Sequence, residues 1–193
     1  MSVMGPSPSA FKSVVAAFLA ALCLAAPVSA QQTDEEREAD LLRQLSSAGD
    51  PHAASMIEGE LRGLWSRSGS AAIDLLLRRG RDALEAGAPQ EAVEHFTAAI
   101  DWDPDFAEAY VGRAQAYYLT SKVGPAIDDL RQALLLNPNQ WEALMGFAAV
   151  LEEVGLEEDA LELWHRVHDM HPQNPEASAA VGRLELQLQG RTL

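Results

Sequence analysis

The chain has 193 residues, 48 % of them hydrophobic, and a net charge of −15. Such an acidic surface lacks the lysine and arginine footprint that nucleic acid or an anionic membrane requires, and it favours basic or apolar partners. The length suits one globular domain or a short array of small units.

The first 30 residues carry a single charge, Lys12, followed by the 13-residue apolar run Val14 to Ala26 and then "PVSAQQ". Small residues at Val28 and Ala30 predict an export signal cleaved after Ala30, with Gln31 as the new N-terminus and a periplasmic or secreted product. A retained membrane anchor would need about 20 apolar residues, so no stable membrane insertion is expected after cleavage. Cys23 is the only cysteine and lies inside the run, behind Leu22, where a lipoprotein signal requires a small residue. Cleavage therefore leaves no disulfide, no thiol nucleophile and no thiolate metal site.

Residues 34–69 predict a helical hairpin broken at "SAGDPH", where Gly49 and Pro51 mark the turn. Ala54 and Leu61 are candidates for the small-residue roles of a degenerate repeat, and the hairpin is expected to pack on the unit that follows it. Its register slips, because Gly49 and Gly87 are 38 residues apart and the extra length falls in "LWSRSGS", residues 64–70. Ser70 is placed to cap a helix starting at Ala71.

Beyond that point the chain repeats every 34 residues. Pro104, Pro138 and Pro172 hold this interval, as do Ala92, Ala126 and Ala160, then Phe96, Leu130 and Trp164, then Ala99, Ala133 and Val167. Gly80, Ala114, Ala148 and Gly182 form a further small-residue series. Each unit reads as two antiparallel helices turning at Gly87, Ser121 or Gly155. Small residues let the backbones approach, a bulky residue fills the adjoining gap, and proline ends the second helix. Asp105 is placed to cap the helix after Pro104. Pro175 to Gln189 predicts an amphipathic capping helix with Val181, Leu184 and Leu188 inward, since the end of an array must cover its apolar face.

These columns resemble the tetratricopeptide repeat, a 34-residue helix–turn–helix with small, aromatic and proline positions. The units run 73–106, 107–140 and 141–174, flanked by the hairpin and by a C-terminal cap and tail at 175–193. The first departs from the pattern at Ala83, where the family has an aromatic. The resemblance implies an all-α, right-handed α-solenoid of antiparallel helix pairs. The N-terminal arrangement is similar to that of periplasmic repeat proteins of Gram-negative bacteria, and the scarcity of lysine, two in the whole chain, is compatible with it.

Candidate chemistry is sparse. His165, His168 and His171 stand three apart, so neighbouring pairs could chelate a metal. They also sit in the last turns of a helix, where positive charge complements the macrodipole, and that is the reading preferred. "EEVGLEED", with Glu152, Glu153, Glu157, Glu158 and Asp159, lacks a calcium-loop pattern and reads as a solvated face. No catalytic set, metal site or cofactor site is assigned.

The resemblance places the first helix of each unit on a concave groove. It assigns Leu77, Val111, Met145 and Ala179 to one row, Arg81, Gln115, Ala149 and Arg183 to a second, and Leu84, Tyr118, Glu152 and Leu186 to a third. Tyr118 and Leu119 follow Tyr117, which falls in the column the family buries. Tyr118 is either a binding anchor or a packing residue against the next unit, and Leu77, Leu84 and Val111 could likewise pack against neighbouring helices. Chaperone-binding relatives grip terminal carboxylates with basic and amide groups. Here the matching positions are Leu77, Arg81, Gly112, Glu142 and Gly146, of which only Arg81 is basic. The expected function is a non-enzymatic scaffold taking a protein or extended peptide in the groove. The rivals are a small metal-dependent or hydrolytic enzyme on the array, and a self-associating structural component.

Overall fold

The computed structural model describes residues 33–191. The expected export signal, its cleavage site and Cys23 lie outside the described residues. Asp34 onward forms one compact unit. Among the described residues there are nine α-helices and no strand: α1 (Asp34–Ser46), α2 (Pro51–Trp65), α3 (Ala71–Glu85), α4 (Pro89–Trp102), α5 (Ala107–Leu119), α6 (Val123–Leu136), α7 (Trp141–Glu153), α8 (Glu157–Met170) and α9 (Pro175–Arg191).

The punctuation follows from the sequence. Residues preceding proline are sterically barred from the α region. Accordingly α4 and α6 end on extended residues, Asp103 (φ −141°, ψ 90°) and Asn137 (−134°, 96°), and α8 ends on His171 (−142°, 74°), likewise outside the α region. Within each unit the chain reverses through a left-handed residue, Gly87 (φ 71°), Ser121 (φ 59°) or Gly155 (φ 82°). Glycine takes that conformation freely, whereas Ser121 occupies it with a Cβ.

Packing follows the predicted columns. Ala92, Ala126 and Ala160 are buried where the two helices of each unit meet, and Phe96, Leu130 and Trp164 are buried beside them. The close approach is tightest around Phe96. A Cβ on Gly80 of the same unit would lie 2.5 Å from the Phe96 ring, and so would a Cβ on Gly112 of the next unit. The ring is wedged between two glycines. The next joint is looser, because a Cβ on Gly146 would meet Leu130 only at 3.4 Å. On α9, Ala177, Ala180 and Leu184 turn inward with Val181 partly buried, while Gly182 is exposed and meets no neighbour.

Two capping expectations are corrected. Ser70 occupies the N-cap of α3 but makes no side-chain cap bond. The turn is held by Asp74, whose Oδ1 accepts from the Ser68 amide and hydroxyl, both at 2.8 Å. At the Pro104 joint the N-cap position belongs to Phe106, and Asp103 rather than Asp105 supplies the side-chain acceptor, at 3.2 Å from the Asp105 amide. Asp50 does cap α2, accepting from the amides of His52 and Ala53, each at 2.9 Å, ahead of Pro51 in the first turn.

The larger correction concerns the N-terminal hairpin. Its apolar residues do not join the core of the first unit, to which it bonds through Ser66 and Arg81. Leu41, Leu45, Ala54 and Leu61 bury themselves in one cluster with Trp141, Leu144, Trp164 and Val167 of the third unit and with α9. Trp65 tilts against Trp141, with ring centroids 4.7 Å apart. The hairpin crosses the proline joints: Asn139 reaches Glu38 at 3.5 Å, and Gln173 donates to the Ala48 carbonyl at 3.2 Å. The residues that slip the register explain the departure. The linker between α2 and α3 contains Gly69 at φ 82°, which lets the chain leave the stacking direction.

Candidate functional site: the concave groove

The first helices of the three units, with α2 at one end, enclose a cleft of about 610 Å³. Its floor is apolar, from Leu84, Val111, Met145 and Ala149, with Gln115 and Tyr118 on its walls. Arg81 lines it as well, so six of the nine predicted groove residues meet there: Arg81, Leu84, Val111, Gln115, Tyr118 and Met145.

Three do not. Leu77 is only 1 % exposed and packs inward with Ile73, Ala92 and Phe96, as a core residue of the first unit. Leu119 is exposed but lies outside the lining, because one more residue turns it about 100° from Tyr118. Arg183 continues the Arg81 row onto α9, beyond the cleft, and pairs with Glu152 at 2.6 Å. Glu152 is thus no simple solvated carboxylate. It accepts from Arg183 and from the Trp164 indole at 2.6 Å. The Arg183 bond, aided by the indole and opposed by partial burial, holds its carboxyl below the usual range.

Tyr118 is 46 % exposed, and its hydroxyl donates to Glu153 of the next unit at 3.1 Å, which raises its pKa. The ring therefore offers a face to the cleft while its tip is steadied. Tyr117, placed by the resemblance in a buried column, is half-buried and lies under the cations of Arg113 and Lys122.

The polar end of the cleft was not legible as a site. Glu108, at the start of α5, is buried and binds Arg81, while the Gln140 amide donates to its other oxygen. Burial pushes the Glu108 carboxyl up more strongly than Arg81 pulls it down. Arg62, from the hairpin, donates to Glu142 Oε1 at 2.7 Å, approaches Glu58 at 3.2 Å and lies over Trp141. Burial lowers the Arg62 pKa, but the bond to Glu142 and the nearby carboxylates raise it overall. The one sequence signal for this end was the slip before α3, which freed α2 to cross the array.

The three histidines have separate partners. His165 faces Glu185 at 3.4 Å, His168 meets the Ser178 hydroxyl at 3.3 Å, and buried His171 bonds Glu58 at 2.6 Å. Among the described residues no group of three or more histidines, cysteines and carboxylates is arranged to hold a metal. No described helix is long and apolar enough to cross a membrane.

Two-helix units stacked in register and lined by first helices define an α-solenoid with a concave cleft. The sequence profile of the tetratricopeptide repeat matches residues 83–126. A TPR repeat-containing protein of Rhizobium etli is 32 % identical over 162 residues, 84 % of this chain and 79 % of that one. The chain belongs to the tetratricopeptide repeat family. The Protein SGT1 homolog of Bos taurus is 39 % identical over 75 residues, but these are 39 % of this chain and only 22 % of that one. Among solved structures, the first TPR of Spaghetti (RPAP3), bound to the HSP90 peptide SRMEEVD, superposes with a TM-score of 0.59 at 26 % identity. The match covers 62 % of this chain and 95 % of that one. The TPR2B domain of yeast Sti1, in complex with pHsp70, gives a TM-score of 0.56 at 21 % identity, over 61 % of this chain and 99 % of that one, a likeness of fold alone.

Proposed function

We propose that this chain is an exported, non-catalytic interaction module that takes a segment of a partner protein or peptide in its concave groove. The observation that carries the reading is the cleft itself: an apolar floor spanning all three units, with an exposed tyrosine and a glutamine on its walls. Concave solenoid surfaces are commonly binding surfaces, and a solved relative with the same fold holds a peptide. Export is supported by Lys12, the apolar run and the small residues before Gln31.

Tyr118 tests the groove. It is half exposed and bonded only through its hydroxyl, so Tyr118→Ala should leave the melting temperature nearly unchanged. Loss of an aromatic anchor costs about 2 kcal/mol, or about 30-fold in affinity for a partner crosslinked and identified from the native compartment. Undiminished affinity in a stable variant removes Tyr118 from the site.

A further inference from the structure

The groove has its own charge logic, and this inference rests on the groove being the binding surface. Both cations lining the cleft are already engaged by carboxylates of the same chain. Arg81 is held by buried Glu108 and also donates to the Ser66 hydroxyl at 3.0 Å. Arg62 is held by Glu142 and Glu58. An incoming carboxylate would meet guanidinium groups already neutralised by Glu108 and Glu142 and would compete with both. Displacing Glu108 would leave a buried carboxylate without its partner.

The carboxylates are in excess. Glu85 lines the same cleft, is exposed and makes no ion pair among the described residues. Arg62 engages only Oε1 of Glu142, leaving Oε2 with no hydrogen bond among the described residues. Glu153 stands at the Tyr118 hydroxyl. Between these acids the floor is hydrocarbon from Leu84, Val111 and Met145. With a chain charge of −15, the long-range field acts in the same direction.

We propose that the groove receives an apolar segment bearing a lysine or arginine, its cationic head seated by Glu85, and that it discriminates against acidic segments and acidic chain ends. The apolar body of a lysine or arginine suits such a site, since its methylenes lie along hydrocarbon while the head reaches the carboxylate.

The test uses the full chain and three dye-labelled nonapeptide amides of alanine and leucine, identical except for a central lysine, glutamine or glutamate, followed by fluorescence polarisation. The lysine peptide should bind about tenfold tighter than the glutamate peptide, with glutamine between, and the spread should shrink at high salt. Glu85→Lys changes an exposed side chain and should reduce the lysine preference at least threefold without altering the melt. Equal binding of all three overturns the charge selectivity while leaving the groove reading in place. Preference for glutamate overturns it outright, and so does failure of all three to bind. The groove reading is then decided separately by Tyr118→Ala.

Discussion

The repeat stack and the N-terminal hairpin are held by different kinds of contact. In the stack, partners are close in sequence and mostly apolar: Phe96 sits between Gly80 and Gly112, and Arg113 grips Asp129, sixteen positions on, through two bonds of 2.8 Å. In the hairpin seam, the hydrogen-bonded partners lie 80 to 125 positions apart: Arg62 with Glu142, Glu58 with His171, and the Ala48 carbonyl with the Gln173 amide. The seam also buries Trp65 Nε1, Gln140 Oε1 and His171 Nδ1 without hydrogen-bond partners among the described residues. Each such group costs roughly 1–3 kcal/mol. The stack is thus joined by local contacts, whereas the hairpin is joined by long-range contacts around an apolar cluster that it shares with the third unit, and its inner helix forms one wall of the groove.

The sharpest break in the stack is Asp129→Ala. Arg113 is mostly buried and would lose its carboxylate, with only the Thr97 hydroxyl and the Tyr110 and Tyr117 rings left around it. Removing one partner of such a pair costs about 3–5 kcal/mol, and the thermal melt should fall accordingly. In the seam, Trp65→Ala removes the ring that packs on Trp141, at about 3 kcal/mol. Hydrogen exchange should then show residues 34–65 losing protection while 71–191 keep theirs. Loss of protection in both regions would mean that the hairpin and the stack fold as one.

Smaller effects refine the contrast. Ser121→Gly relieves a left-handed residue within the stack and should raise stability by about 1 kcal/mol in a denaturant titration. The smallest is a slope. The raised Glu108 pKa means that the folded protein binds this proton more readily than the unfolded chain does. Its contribution is therefore favourable below the unfolded carboxyl value and is lost as pH rises through the folded one. Glu108→Gln should flatten the stability–pH curve on that side. On the acid side the lowered carboxyl of Glu152 acts oppositely, losing its contribution as pH falls, and should be unaffected by the substitution.

This contrast also accounts for what the sequence disclosed. Periodicity reports contacts between neighbouring units, so the joints at Pro104, Pro138 and Pro172, the small-residue columns and six groove residues were all readable. Leu77 was misplaced because groove and core positions on α3 are neighbours on one helix, and only the actual packing separates them. The hairpin could be recognised as two helices, but nothing in its own pattern names Trp141 as the surface it covers. Arg62 went unassigned for the same reason, since its role exists only once α2 is laid across the third unit; Glu108 binds Arg81 and Gln140 of the stack, pairings that fall outside the 34-residue columns. Ser70 and Asp105 were sound cap residues by type, displaced by Asp74 and Asp103, which reach the same turns with better geometry.

Phe96 carries a consequence for how the array comes apart. A linear array unravels one unit at a time where the couplings between neighbouring units are weak. Here a single ring fills the notch of its own unit at Gly80 and the notch of the next at Gly112. Removing the second unit would strip one side of that ring, and removing the first would empty the notch in the second. In the language of a one-dimensional lattice, the ring is a coupling shared by these two sites. The first two units are therefore expected to melt as a pair, with fraying at the looser joint around Gly146.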